Sequence, residues 1–402
     1  MSKLAHNYIQ IFIAIALMGY WLTNSVATYL FGDTPLSVSV IYWGVLLLMS
    51  IIAMSISRQH LGMRDNNFLR GYIVIMFAYA IRMFVDIVCG PYVGEVPNSI
   101  FLSDMLVTIC GVFLTTYAIM TCRYDLDLDK VCQWIYWIGL VIILIIPRIT
   151  DIDVANMQDA EDRMEAGRGL GSLAIVKIGV IEVIVSLHLL FNQRRKHLYV
   201  LVLVLAIWTT LAAGSRGGLI SLIIALFYYM IINSRKNIFR LLVVAVFLYV
   251  VVVNIIPILE WLSQYFPVIG YRMIGTIMDN DQSGRELLRE RAYELISNHP
   301  ILGYSYRLSP SKTGYNCHNG VLDIFLAFGI PFGLLALYMV YFRSVMMSTR
   351  LVMYKKYFMP VVMAIWVLVA SMSGSGITDA TFCFSICLLG IVYHREKSNL
   401  KK

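Results

Sequence analysis

Four side chains in this chain have the chemistry to hold an anion or take up a proton: Arg216, Arg285, Arg289 and His318. Arg216 stands in Ala213-Gly214-Ser215-Arg216-Gly217-Gly218, between two apolar runs that each read as a bilayer span. A cation at such a junction is costly unless it faces water, a partner or a ligand, which makes Arg216 a functional-site candidate. Its small neighbours leave backbone N–H groups uncovered, so Ser215 and the flanking glycines suit the close approach of a phosphate.

Arg285 and Arg289 lie in a polar segment that begins Asp281-Gln-Ser283-Gly284-Arg285-Glu286. Ser283 with Glu286 three residues on is a capping-box signature, and Pro300 stops the helix by residue 299. Arg285, Arg289, Ala292 and Ile296 then share one face. A cation in the first turn meets the positive end of the helix dipole, which makes sense if Arg285 faces an anion. The alternative is that both arginines merely pair with Glu286, Glu290 and Glu294.

His318 follows Cys317 and precedes Asn319, a candidate N-cap, at the start of another apolar run. Histidine is the usual proton acceptor near neutral pH, though a lone one at a membrane surface is also common. Cys317 raises the alternatives of a thiol nucleophile or a zinc ligand, but no matching cluster accompanies it. Asp323, five residues on, is placed to orient a group in the same cavity. Arg82 and Asp86, four apart, are expected to pair, while Asp104, Lys177 and Glu182 are candidates for pairing or cavity lining.

The elements that must position these groups are membrane helices. Hydrophobic residues make up 59% of the 402 residues and charged ones 14%, which excludes an ordinary soluble domain. The net charge of +8 reflects a membrane bias rather than nucleic acid. The seven cysteines are scattered and form no disulfide framework. The first apolar run, 9–31, reads as a retained helix, not a cleaved signal.

Twelve spans of a length a bilayer requires are expected: 9–31, 36–57, 70–90, 100–121, 131–147, 170–191, 198–214, 217–233, 239–256, 319–342, 358–376 and 378–393. With both termini cytoplasmic, the basic clusters Arg58/Arg64/Arg70, Arg194/Arg195/Lys196, Arg235/Lys236/Arg240, Arg343 to Lys356 and Arg395 to Lys402 all fall inside. Two loops then lie outside, the acidic 148–169 and the long 257–318. The expected organisation is helices 1–9 over 1–256, a large extracytoplasmic loop with short helices over 257–318, and helices 10–12 with a cytoplasmic tail over 319–402.

The chain resembles the O-antigen polymerase/ligase superfamily of bacterial inner-membrane proteins over roughly residues 200–340. The resemblance rests on Gly214-Ser215-Arg216-Gly217-Gly218, Ser283-Gly284-Arg285, Asn298-His299-Pro300 with Gly303, His318-Asn319 with Leu322, and Ala327-Phe328-Gly329-Ile330. Gly320-Val321 and Phe328 stand where the family usually has an aromatic residue and often an acid. The resemblance implies an all-α, GT-C-like glycosyltransferase whose donor is a sugar chain on undecaprenyl diphosphate. On it, Arg216 and Arg285, with Arg289, would hold the diphosphate. His318 would take the acceptor proton, and Ser215, Asn319 and Asp323 would support. No metal or other cofactor is implied.

The expected activity is polymerisation of lipid-linked repeat units into a surface polysaccharide: O-antigen, capsule or exopolysaccharide. A ligase that moves the finished glycan to lipid A core or another acceptor is the alternative. A twelve-span transporter or flippase ranks below both, since it would require a repeat between halves that is not visible. The partners implied are the lipid-linked donor, a glycan acceptor, membrane lipid and a chain-length regulator.

Overall fold

A computed structural model describes residues 3–32, 36–57, 66–122, 126–149, 171–193, 196–234, 253–266, 285–310, 316–372, 374 and 376–399, together with 239, 242–243, 246, 249–250, 270 and 273–275. The described residues are almost entirely helical. The one extended pairing among them is an isolated bridge between Val93 and Val96.

In chain order the helices are α1 (Lys3–Phe31), α2 (Leu36–Ile56), α3 (Asn67–Cys89) and α4 (Asn98–Leu106). A π-helical stretch, Val107–Phe113, joins α4 to α5 (Leu114–Thr121). Then come α6 (Leu128–Ile149), α7 (Ser172–Asn192), α8 (Lys196–Ala212) and α9 (Arg216–Ser234). The short α10 (Ile255–Ser263) precedes α11 (Arg285–Asn298) and α12 (Gly320–Leu337). A second π-helical stretch, Tyr338–Phe342, leads into α13 (Arg343–Leu351), followed by α14 (Phe358–Ser371) and α15 (Ala380–Asn399).

Among the described residues, eight helical segments are long and apolar enough to cross a membrane, and they coincide with eight of the expected spans. The expected spans at 198–214, 358–376 and 378–393 occur as helices that are shorter or more polar than that standard. Parts of the expected ninth span, 239–256, lie outside the described residues, as do most of the acidic loop 148–169 and the cap Ser283.

The core sits around α7, which is mostly apolar and, Lys177 apart, buried from Ile175 to Leu189. It packs against α6, α8, α9 and α14. The outward faces of α2 and α3 expose Val40, Ile41, Phe77 and Phe84, which suits contact with lipid tails. Glu182 on α7 is fully buried against Gly139 and has no hydrogen-bond partner among the described residues.

The other intramembrane charges do find partners. Arg82 pairs with Asp86 at 3.0 Å, as their spacing predicts. Lys177 on α7 pairs with Asp379 just before α15. Asp104 on α4 pairs with Arg307 at 2.8 Å.

Candidate functional site

His318 is held in a tight turn at the head of α12. Its φ of 49° is left-handed, uncommon for a residue with a Cβ. Three side chains hold that conformation. The His318 N–H donates to Asn316 Oδ1 at 3.2 Å, and the Cys317 N–H donates to Asp323 Oδ1 at 2.9 Å. Asn319 caps α12, its Oδ1 accepting from the N–H groups of Val321 and Leu322 at 3.0 and 3.2 Å. Asp323 therefore orients the backbone that carries the imidazole.

His318 is half-buried, and burial holds its pKa below the ordinary histidine value. The Arg285 guanidinium lowers it further, so the two side chains lie within electrostatic reach. The imidazole is therefore neutral at neutral pH, with a lone pair available to accept a proton. The Cys317 thiol is buried, and burial with the nearby Asp323 pushes its pKa well up, which disfavours a thiolate nucleophile. No group of three metal-ligating side chains gathers around it among the described residues.

α11 brings Arg285 to this turn. It ends at Asn298, just before His299 and Pro300, and buries Ala292, Leu295 and Ile296. These pack with Leu308, Cys317, Leu322 and Leu326 in a small apolar cluster against α12. Arg285 and Arg289 precede Ala292 on the predicted face, partly buried, while Glu286 and Glu290 are exposed. Glu294 pairs with Arg291 on the outer side.

The helix pair is locked by the chain that follows α11. α12 breaks at Gly329 (φ 71°, ψ −176°), two residues before Pro331. The break leaves backbone groups unpaired, and the loop satisfies them. Leu326 O accepts from Tyr304 N at 2.7 Å and Ser305 N at 3.2 Å, and Pro300 O accepts from Ile330 N at 2.7 Å. A Cβ on Gly303 (φ 72°) would lie 2.6 Å from Leu326 O, so only glycine permits this approach. The motifs around His299-Pro300 and Phe328-Gly329 thus form one clasp.

The first third of the chain fastens the clasp. Arg82 donates to the carbonyls of Leu302 and Tyr304. Asp86 accepts from Ser305 Oγ at 3.0 Å and Tyr306 N at 2.7 Å. Tyr92 donates to Leu308 O at 2.6 Å. Arg307, 2% exposed, reaches Asp104 and lies over the Phe101 ring.

Arg216 opens α9 beside Gly214, whose φ is 66°. Ser215 O accepts from the N–H groups of Gly218 and Leu219 at 3.0 and 3.2 Å. Ser215 and Arg216 are partly exposed. A run of contacts links this corner to the His318 turn. Gly218 abuts Val176, whose neighbour Lys177 pairs with Asp379. Asp379 N bonds Gly376 O at 3.0 Å, and Gly376 packs against Gly320 at the head of α12. His318, Asn319 and Asp323 are brought together in the turn, Arg285 and Arg289 lie on the helix packed beside it, and Ser215 and Arg216 lie at the other end of the contacts that run through the Lys177–Asp379 bridge.

A cavity of about 220 Å³ adjoins the turn, walled in part by Asn316 and Asp323 and lined also by Tyr79, Asp104, Thr108 and Thr378. A larger groove of about 380 Å³ between α1 and α2 is almost wholly apolar.

Residues 201–338 match the family model described as O-antigen ligase, Wzy_C. The match contains Ser215, Arg216, Arg285, Arg289, His318, Asn319 and Asp323, and it supports the superfamily to which the motifs pointed. It supports a polymerase- or ligase-type, glycosyltransferase-like function in an integral membrane protein, acting on a lipid-linked glycan and an acceptor. No curated protein matches the chain.

Proposed function

We propose that the chain polymerises undecaprenyl-diphosphate-linked oligosaccharide repeat units into a surface polysaccharide at the outer face of the bacterial cytoplasmic membrane. The observation that carries this reading is the half-buried His318 turn at the head of α12, against which α11, with Arg285 in its first turn, is packed. The imidazole suits deprotonation of a sugar hydroxyl, and a guanidinium fork suits a leaving diphosphate. In the transfer, the acceptor oxygen bonds to the anomeric carbon of the donor chain. The bond from that carbon to the diphosphate breaks, and its electron pair leaves on the diphosphate. The acceptor proton passes to His318.

Arg216 and Arg285 hold the diphosphate, with Arg289 one turn further along. Ser215 keeps the α9 corner open, while Asn319 and Asp323 position the His318 turn. The energy lies in the donor bond, and the fixed arginine charges take the role a metal ion would otherwise fill. The chain spans the membrane twelve times with both termini cytoplasmic, so that this site faces outward, and a chain-length regulator is its partner.

The description of the matched model favours a second reading, a ligase that passes the finished glycan to lipid A core or another acceptor. A gel of surface glycan from a deletion strain separates the two. Single-repeat product identifies the polymerase, and unattached long chains identify the ligase. Arg216→Ala, Arg285→Ala and His318→Ala at normal protein level should each abolish long polysaccharide. Normal chain length in all three would overturn the site.

A further inference from the structure

The cavity beside His318 has a lining unlike the arginine corner. Asn316 and Asp323 form part of its wall, and the same two side chains hold the His318 turn. The space therefore adjoins the turn that carries the imidazole. The opposite wall comes from α3 and α4, through Tyr79, Ser103 and Asp104, and from Thr108 in the π-helical stretch, a backbone form that recurs at functional sites. Thr378, from the loop before α15, completes the polar set.

Charge tells against the diphosphate here. The acids in the lining are Asp104, paired with Arg307, and Asp323, and among the described residues no arginine or lysine lines the space. Hydroxyl, amide and carboxylate groups around a tyrosine ring fit a neutral ligand that has both hydroxyls and an apolar face. The volume is below the roughly 300–1,000 Å³ of a pocket for a drug-sized molecule, which suits one sugar ring.

We propose that this cavity seats the terminal sugar of the acceptor glycan and presents its hydroxyl to His318. Acceptor choice then lies with α3, α4 and the π-helical stretch, all outside the matched segment 201–338. The proposal rests on the glycosyl-transfer reading for its direction, since that reading places the diphosphate at the arginines.

The test uses the full-length protein in detergent and the repeat-unit oligosaccharide freed from its lipid by mild acid. Thr108→Val and Ser103→Leu, each with an unchanged melting temperature, should weaken oligosaccharide binding several-fold to about tenfold. They should raise the KM for the free oligosaccharide by a similar factor and leave donor binding unchanged. Arg216→Ala should show the converse, lost transfer with oligosaccharide binding intact. Wild-type oligosaccharide affinity in both cavity variants would overturn the proposal, as would failure of the wild-type protein to bind the oligosaccharide. Full transfer by both Arg216→Ala and His318→Ala, with oligosaccharide binding lost in the cavity variants, would sink the transfer reading and leave a glycan site.

Discussion

A histidine can serve as a base only while it is neutral, and at position 318 both perturbing influences act in that direction. Burial and the Arg285 cation each disfavour the imidazolium. The rate should therefore rise as pH climbs through the depressed pKa and level off above it. Replacing Arg285 by Gln removes one of the two influences, so the acidic inflection should move to higher pH, toward about 6.5. A pH profile of kcat/KM on purified lipid-linked repeat units reads this, and an unmoved inflection would dissociate the two side chains. Arg216→Lys keeps the charge but loses the fork, and activity should drop about tenfold or more in the same assay. These residues were legible because each is out of place: a charge between two spans, a cation at a helix start, a histidine before a cap. Arg307 gave no such signal, since its partner Asp104 lies 203 positions away. Nor did Lys177 announce Asp379.

Helices and turns were legible where local rules govern them. Asn319 is the expected cap, α11 ends just before the expected proline stop, and its buried face includes Ala292 and Ile296 as spaced. The broken α12 was not visible as a break. Gly329 and Pro331 are tolerated inside an apolar run, and the loop that repairs the gap is a tertiary partner. Gly329→Ala should destabilise the protein by about 1–3 kcal/mol, because it puts a Cβ at φ 71° against the Ile301 carbonyl. Arg307→Ala should cost a comparable amount, about 1–3 kcal/mol, by removing a buried cation that Asp104 meets. Thermal melting in detergent measures both, and an unchanged midpoint for Gly329→Ala would show that the clasp does not bear on folding.

For the whole molecule, the pattern of basic clusters predicts which side each loop occupies. A fluorescent protein fused after Lys402 should fluoresce, and alkaline phosphatase fused after Ser309 should be active. The reverse pair of results would turn the site to the cytoplasm. Span number was only partly legible, because α14 is only 14 residues long and α15 carries His394, Arg395, Glu396 and Lys397 along its end. The loop from Leu302 to Leu308 is anchored by Arg82, Asp86, Tyr92 and Asp104, none of which belongs to the matched stretch. Domain transplantation is constrained accordingly. A hybrid that joins residues 201–402 to a foreign amino-terminal half inherits the reactive groups yet forfeits their moorings, unless the four anchors travel too.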